Sequence, residues 1–468
     1  MKRSGWLALP PVAAVAAVLA AGAKGLYVSP DAVFYVGTAR NWLDGLGFAP
    51  PAGVPPLEHF PPGFTMVLAA LGKLGLDPLT GARAVNALAL GGIVLLVGLV
   101  VRRSTGSVPA ALVASVLVAA GVDLLGLSGS ALSEPMFILL ALAGIVALAA
   151  YLDAPRPALL AGASALVAAA FLTRYVGIAV VVAGVAVLAW RRRWVAAGVF
   201  GAATVAPVAL WLLWAGGGAS DRSVAFHLFG ADYLGQAVRP LARWIVPWPG
   251  PPAGFVLAVV LVAAGVVVAR RLPATPLTWL LVAFTVAYLV VLVANRTFTD
   301  ATGRLDARFL APLHVAAILL AVPALHRLEP PALYLAGALV VAQVAGAVVW
   351  TAGGLTDDSI RRRGYSAAAL QHSSVMAFDG QPLYSNAPDA VSFIAGRPAL
   401  AIPVEKDYLT GEANARFAEE LAAMRGYIAY FDAITFKRSF QPSRTDLEAA
   451  LRLEVVLHDG VGTLYRIL

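Results

Sequence analysis

The sequence predicts a mainly α, polytopic membrane domain followed by a small extracytoplasmic α/β domain. Three observations carry this. Hydrophobic residues make up 60% of the chain and charged residues only 13%, about half the charge of a soluble domain. Apolar runs near 20 residues long recur up to about residue 350 and then stop, and that length matches the hydrocarbon thickness. Beyond residue 353 the composition becomes that of a soluble domain. The organisation is therefore a membrane domain over 1–352 and a soluble one over 353–468.

The elements follow in order. Met1-Lys2-Arg3 precedes a run from Trp6 to Ala23. It has the outline of a signal peptide, but a long polytopic chain follows, so an uncleaved first span is expected. Further runs lie at about 82–101, 108–126, 135–151, 158–172, 176–190, 195–214, 253–269, 277–294, 309–325 and 331–350, about eleven spans in all. Basic clusters alternate between them: Arg102-Arg103, Arg156, Arg191-Arg192-Arg193, Arg270-Arg271 and His326-Arg327. All fall on the side of Lys2-Arg3, which the positive-inside rule makes the cytoplasm. An odd number of spans then puts the C-terminal domain outside. Multi-pass residence in a bacterial plasma membrane is the expected location.

The outer connections are long and the inner ones short, so chemistry is expected outside. The first outer loop, about 24–81, holds an amphipathic segment from Asp31 to Leu43 and an apolar stretch from Phe64 to Leu76. The first reads as an interfacial helix. The second is too short to span. In the tail, strands are expected at 382–386, 399–403, 426–431, 453–457 and 463–467, the last two as a hairpin about Asp459-Gly460. Helices are expected at 388–395, 413–424 and 445–451.

The chain has no cysteine, which excludes disulfides, thiolate metal sites and thiol catalysis. The formal charge of +8 reflects topology in such a chain and does not indicate nucleic acid. Walker A, HExxH, GxSxG and GxGxxG patterns are absent.

The polar residues at the outer face carry the functional signal. Asp31 stands at a helix start, where a carboxylate either favours the helix dipole or serves as a general base. Glu58 and His59 precede Phe60-Pro61-Pro62-Gly63; they either belong to a rigid loop or hold substrate hydroxyls or a metal. Glu134, in Ser133-Glu134-Pro135, either caps a span or has a functional partner, since a carboxylate beside hydrocarbon is costly alone. Arg174 and Tyr175 lie between two apolar runs. Arg308 opens another span, with Arg304 one turn earlier. Lys24, Arg222, Arg239 and Arg243 add positive charge on this side. So many outer cations call for an anion, either lipid headgroups or a lipid-linked phosphate.

Taken in order, Ser29-Pro30-Asp31, His59-Phe60-Pro61-Pro62-Gly63-Phe64, Ser133-Glu134-Pro135, Leu172-Thr173-Arg174-Tyr175, Arg308-Phe309-Leu310-Ala311-Pro312 and Tyr384-Ser385-Asn386-Ala387-Pro388-Asp389 resemble the GT-C class of membrane glycosyltransferases. The branch is similar to the protein O-mannosyltransferases and lipid A aminoarabinose transferases. The resemblance implies inverting transfer of a sugar from a polyprenyl-phosphate donor to an acceptor hydroxyl on a protein, lipid or glycan. It implies Asp31 as the base, with Arg174 and Arg308 near the donor phosphate. Several relatives carry two acids together in the first loop. Here Ala32 follows Asp31, which leaves open whether a divalent cation takes part. A transporter or lipid-carrier flippase is the alternative. It would place charges within the spans.

Overall fold

A computed structural model describes residues 2–216, 226–227, 230–300, 303–326, 330–407, 410–435 and 440–468. The membrane part contains α1 (Leu9–Ala21), α2 (Pro30–Leu43), α3 (Gly63–Lys73), α4 (Pro78–Thr105), α5 (Val108–Ala119), α6 (Val122–Ser128), α7 (Glu134–Asp153), α8 (Pro157–Thr173), α9 (Ile178–Trp190), α10 (Trp194–Ala215), α11 (Ala231–Arg243), α12 (Pro251–Ala269), α13 (Pro276–Phe298), α14 (Ala307–Leu325) and α15 (Pro330–Thr356). The tail follows with α16 (Ile360–Arg363), α17 (Ala368–Gln371), α18 (Ser374–Ala377), β1 (Leu383–Ser385), α19 (Pro388–Ala395), β2 (Leu400–Ala401), α20 (Phe417–Ala422), β3 (Tyr427–Tyr430), α21 (Arg444–Ala450), β4 (Leu453–His458) and β5 (Thr463–Ile467).

A helix occupies each of the expected apolar runs. Seven are long and apolar enough to cross a membrane, and the bent pair α5–α6 makes an eighth if it is one span. Gly5–Ala21, Pro157–Thr173 and Tyr175–Trp190 fall short on length. The expected count of about eleven is therefore not confirmed. Arg327 of the fifth basic cluster lies outside the described residues.

The helices start where their sequences allow. Pro30 opens α2, and the Ser29 hydroxyl accepts a hydrogen bond from the Ala32 amide. Proline cannot donate, so it is tolerated in a first turn and stops the helix beginning earlier. Asp306 caps α14 by accepting from the Arg308 amide at 2.9 Å. Ser133 precedes α7 but its side chain makes no cap, because its hydroxyl is used elsewhere.

The first loop departs from expectation in one respect. An interfacial helix exposes one face, but Ala32, Val33, Phe34, Tyr35, Val36, Thr38 and Ala39 of α2 are all buried. The helix packs against α3, α4 and α19, so the tail and the short helix cover the face that would otherwise meet headgroups. Phe60 and Phe64 close on Tyr35, with ring centroids 5.1 and 5.3 Å away.

The tail is a five-stranded mixed sheet in the order β2-β1-β3-β5-β4. The β1 pairings are parallel, and β5 runs antiparallel to β3 and β4. The expected strands and hairpin are all found. The helix expected over 413–424 is only Phe417–Ala422, because Ala413 bridges Lys406 instead.

Two short ladders hold the first loop, one to the turn between α6 and α7 and one to the tail. Tyr27 donates its amide to Gly129 O and accepts from Ala131 N, both at 3.0 Å. Val28 exchanges bonds with Arg363 O and Tyr365 N at 3.0 and 2.9 Å. The motif at 384–389 also serves this junction. Gly53, at φ +81°, lies so close that a Cβ there would stand 2.8 Å from the Asp389 amide nitrogen. Only glycine fits that approach and that dihedral. Within the tail, Asn386 ties β1 to β3 by exchanging bonds with Phe431. Asp389, fully buried, accepts from Tyr365 Oη at 3.0 Å.

Candidate functional site

Four of the predicted charged residues meet at the ends of α2, α7, α8 and α14. Arg308 is central. Its Nη2 donates to Asp31 Oδ2 at 2.7 Å and its Nε to Glu134 Oε1 at 2.7 Å. The same Glu134 oxygen lies 2.9 Å from Arg174 Nη1. Arg174 Nη1 also donates to Ser133 Oγ at 3.2 Å, and Ser133 Oγ donates to Tyr35 Oη at 3.2 Å. Two acids and two guanidiniums thus balance in one chain of contacts.

Exposure differs along that chain in a useful way. The Glu134 side chain is 2% exposed, whereas those of Asp31 and Arg308 are 30% and 28% exposed. Glu134 is the buried anchor; Asp31 and Arg308 face open space. Burial alone would raise the Asp31 pKa. The Arg308 guanidinium outweighs it, with smaller pulls from Arg174 and His59, and holds the carboxyl below its ordinary range. Asp306 behaves oppositely: burial prevails over Arg308 and raises its carboxyl. Tyr27, beside this group, is pushed up to about 12 by burial, against the pull of Arg308.

The proline-rich turn positions the neighbouring wall. A Cβ on Gly63 would lie 2.7 Å from Leu172 O, so the Pro61-Pro62-Gly63 turn sits directly on the turn that carries Arg174. Tyr175 Oη then donates to Glu58 O at 2.9 Å and accepts from Trp211 Nε1 at 3.2 Å. Glu58 contributes its carbonyl to this contact. His59 packs edge-on against Phe60, centroids 4.7 Å apart. Arg304 is exposed and makes no ion pair among the described residues. Arg243 is already matched by Asp123 at 2.9 Å, and Arg222 lies outside the described residues.

Sequence reading passed over Tyr35 and the Ser133 hydroxyl. Tyr35 follows Asp31 by four residues, the spacing that puts two side chains on one helix face, so a signal was present. Ser133 looked like a helix cap and offered none.

A divalent cation does not fit this donor set. Asp31 and Glu134 are both engaged by guanidiniums. Among the described residues, no three metal-ligating side chains gather.

Residues 52–216 match the profile of the dolichyl-phosphate-mannose-protein mannosyltransferase family. That segment includes Glu58, His59, Glu134, Arg174 and Tyr175, and stops short of Asp31 and Arg308. No curated protein sequence matches the chain. Among solved structures, ArnT from Cupriavidus metallidurans bound to undecaprenyl phosphate aligns with a TM-score of 0.65 at 13% identity, covering 99% of this chain and 98% of that one. The apo state of the same protein aligns with a TM-score of 0.65 at 14% identity, with the same coverage. The chain has the ArnT fold. The resemblance carried by the motifs therefore extends over the whole architecture, tail included.

Proposed function

We propose that this chain is a membrane glycosyltransferase. It moves a sugar from a polyprenyl-phosphate-linked donor to an acceptor hydroxyl at the outer membrane face. The observation that carries this reading is the convergence of Asp31, Glu134, Arg174 and Arg308 in one half-open cluster. The family match over residues 52–216 and the shared fold with a protein that binds undecaprenyl phosphate support the class of donor.

The chemistry follows from which atoms are spoken for. Arg308 occupies Asp31 Oδ2, which leaves Oδ1 to take a proton from the acceptor hydroxyl. The acceptor's hydroxyl oxygen, as it loses that proton, attacks the anomeric carbon while the bond to the lipid phosphate breaks on the opposite face, so configuration inverts. The phosphate leaves with the bonding pair and needs little acid help. Arg308 uses Nε and Nη2, and Arg174 uses Nη1. Their remaining N–H groups can meet the charge growing on the leaving phosphate, where preorganised donors act most strongly. Glu134 keeps both guanidiniums in place between turnovers.

The outer-face assignment is supported by helix polarity. In α7 and α8 the cluster occupies one end, while Arg156 lies at the other. Arg102-Arg103 likewise sit in the last turn of α4, and Arg191-Arg192-Arg193 directly follow α9. Basic residues collect on the cytoplasmic side, which leaves Asp31 outside.

The test is mass spectrometry of envelope lipids, glycans and glycoproteins from a deletion strain complemented with the wild-type or Asp31→Asn chain. One sugar-bearing species should disappear on deletion, return with wild type and stay absent with D31N at equal protein level. Loss of a general base costs about 10²–10⁴ in rate. Full restoration by D31N would remove Asp31 from its role.

A further inference from the structure

A second concave site lies where α1 and α15 end and the tail begins, with Tyr27 between it and the Asp31 cluster. It is a cavity of about 170 Å³, lined in part by Tyr27, Ser130, Trp350, Arg361, Arg362 and Arg363. A space of that size holds on the order of ten water-sized groups. Three consecutive guanidiniums border it, and among the described residues no carboxylate does.

The three arginines have different tasks. Arg363, 3% exposed, ties the ends of α1 and α15 together by donating to the carbonyls of Ala21, Gly25 and Gly354. Its Nε is buried and without a hydrogen-bond partner; Asp358 Oδ1 stands 3.8 Å off. Arg362 lies over the Trp350 ring, 4.7 Å from its centroid, and donates one bond to Trp350 O at 2.5 Å. Burial, with Arg363 beside it, pulls its pKa below the ordinary arginine value, against the opposing pull of Asp357. Arg361 is exposed at the mouth. Of the nearby acids, Asp357 is bonded to the Ser359 amide and Asp358 faces Arg363. Asp357 and Asp358 thus offset the three guanidiniums only in part and from outside the wall, and burying like charges together is costly unless an anion joins them.

We propose that this cavity binds a phosphate monoester, presented by an anionic membrane lipid, through Arg361 and Arg362. Planar guanidiniums with spare N–H groups suit the oxygens of phosphate. Trp350 near the end of α15 sits where tryptophan marks the headgroup level. The proposal does not rest on sugar transfer and stands if that reading fails.

Native mass spectrometry of the full chain in detergent tests it, with dihexanoyl phosphatidic acid as probe and dihexanoyl phosphatidylcholine as control. Wild type should bind the acid selectively. Two variants should each lose one bound phosphatidic acid per chain, with that lipid's apparent affinity down about ten-fold or more. Arg361→Gln with Arg362→Gln removes the charge. Gly126→Leu fills the space without touching charge, since a Cβ at Gly126 meets only Trp350 Nε1 at 4.0 Å. D31N should bind like wild type. Displacement by millimolar inorganic phosphate would mark a reader of phosphate alone; retained lipid binding under the same phosphate would mark a headgroup site. Equal binding of both lipids overturns the proposal. So does unchanged phosphatidic acid binding in G126L or in the double variant.

Discussion

Replacing Glu134 by alanine is the most direct test of how the charged cluster holds together. The side chain is 2% exposed, and one oxygen serves Arg308 Nε at 2.7 Å and Arg174 Nη1 at 2.9 Å. Hydrogen bonds to charged groups contribute about 1.5–3 kcal/mol each, and breaking a buried pair by removing one partner costs about 3–5 kcal/mol. Arg308 is 28% exposed, so water will screen part of its stranded charge. The expected loss is therefore near the lower end, about 3–4 kcal/mol. Mid-sized domains shift by about 2–4 °C per kcal/mol and larger chains by less. The midpoint in detergent should thus fall by roughly 3–8 °C. Activity should fall further than stability. Without Glu134, both guanidiniums should turn to Asp31 and cover the oxygen proposed to accept the proton. Glu134→Gln keeps the shape and the acceptor but not the charge, and should lie between wild type and E134A in both measurements. Thermal unfolding followed by tryptophan fluorescence, together with a transfer assay in membranes, reads both effects. If E134A unfolds within about 0.5 kcal/mol of wild type and transfers sugar at full rate, the buried carboxylate does not organise the two arginines.

Further outcomes follow from the same geometry. The Asp31 carboxyl titrates below its unfolded value, so its contribution to stability is present above about pH 4 and is lost as pH falls through the lower folded pKa. The difference in melting temperature between wild type and D31N should hold from neutral pH down to about 4 and shrink only below it; a difference already gone at pH 6 would contradict the pairing with Arg308. Tyr365→Phe removes the bond to buried Asp389, whose Oδ1 already lacks a partner. It should cost about 1–3 kcal/mol, measured by thermal unfolding. Gly53→Val adds strain at a positive φ and a contact against the Asp389 backbone, so trypsin should cut between the membrane part and the tail faster than in wild type. Equal protection would show that the loop does not seat the tail there.

How much of this was legible in the sequence depends on the range of the interaction. Local signals read well. Ser29-Pro30 opens α2 beside the expected helix start at Asp31, the helix expected over 388–395 is α19 and ends at Gly396 with φ +65°, and Asp459-Gly460 marked the hairpin turn. The charged residues stood out because hydrocarbon surrounds them, and Arg174, Arg308, Glu134 and Asp31 meet in the fold. Their pairing with one another was not readable. Guanidiniums expected to wait for an external phosphate are matched by Glu134 and Asp31, a fact that depends on the first turns of α7 and α14 meeting across 174 positions of sequence. Burial of α2 was hidden for the same reason: an amphipathic pattern cannot tell a lipid surface from a tail domain that folds back onto it. The role of the 384–389 motif was also invisible, since its neighbour Gly53 belongs to the opposite end of the chain.

The stitching of residues 25–28 to residues 363–365 has a consequence for biogenesis. Arg363 reaches Gly25 O across 338 positions of sequence, and the Val28 amide finds its acceptor only at Arg363. During synthesis, every span must already be threaded before these bonds can close. Tyr27 can pair with Gly129 and Ala131 early, but the clasp on Val28 and Gly25 closes only after the ribosome has delivered residue 365, and a chain released before then would leave the approach to Asp31 half laced.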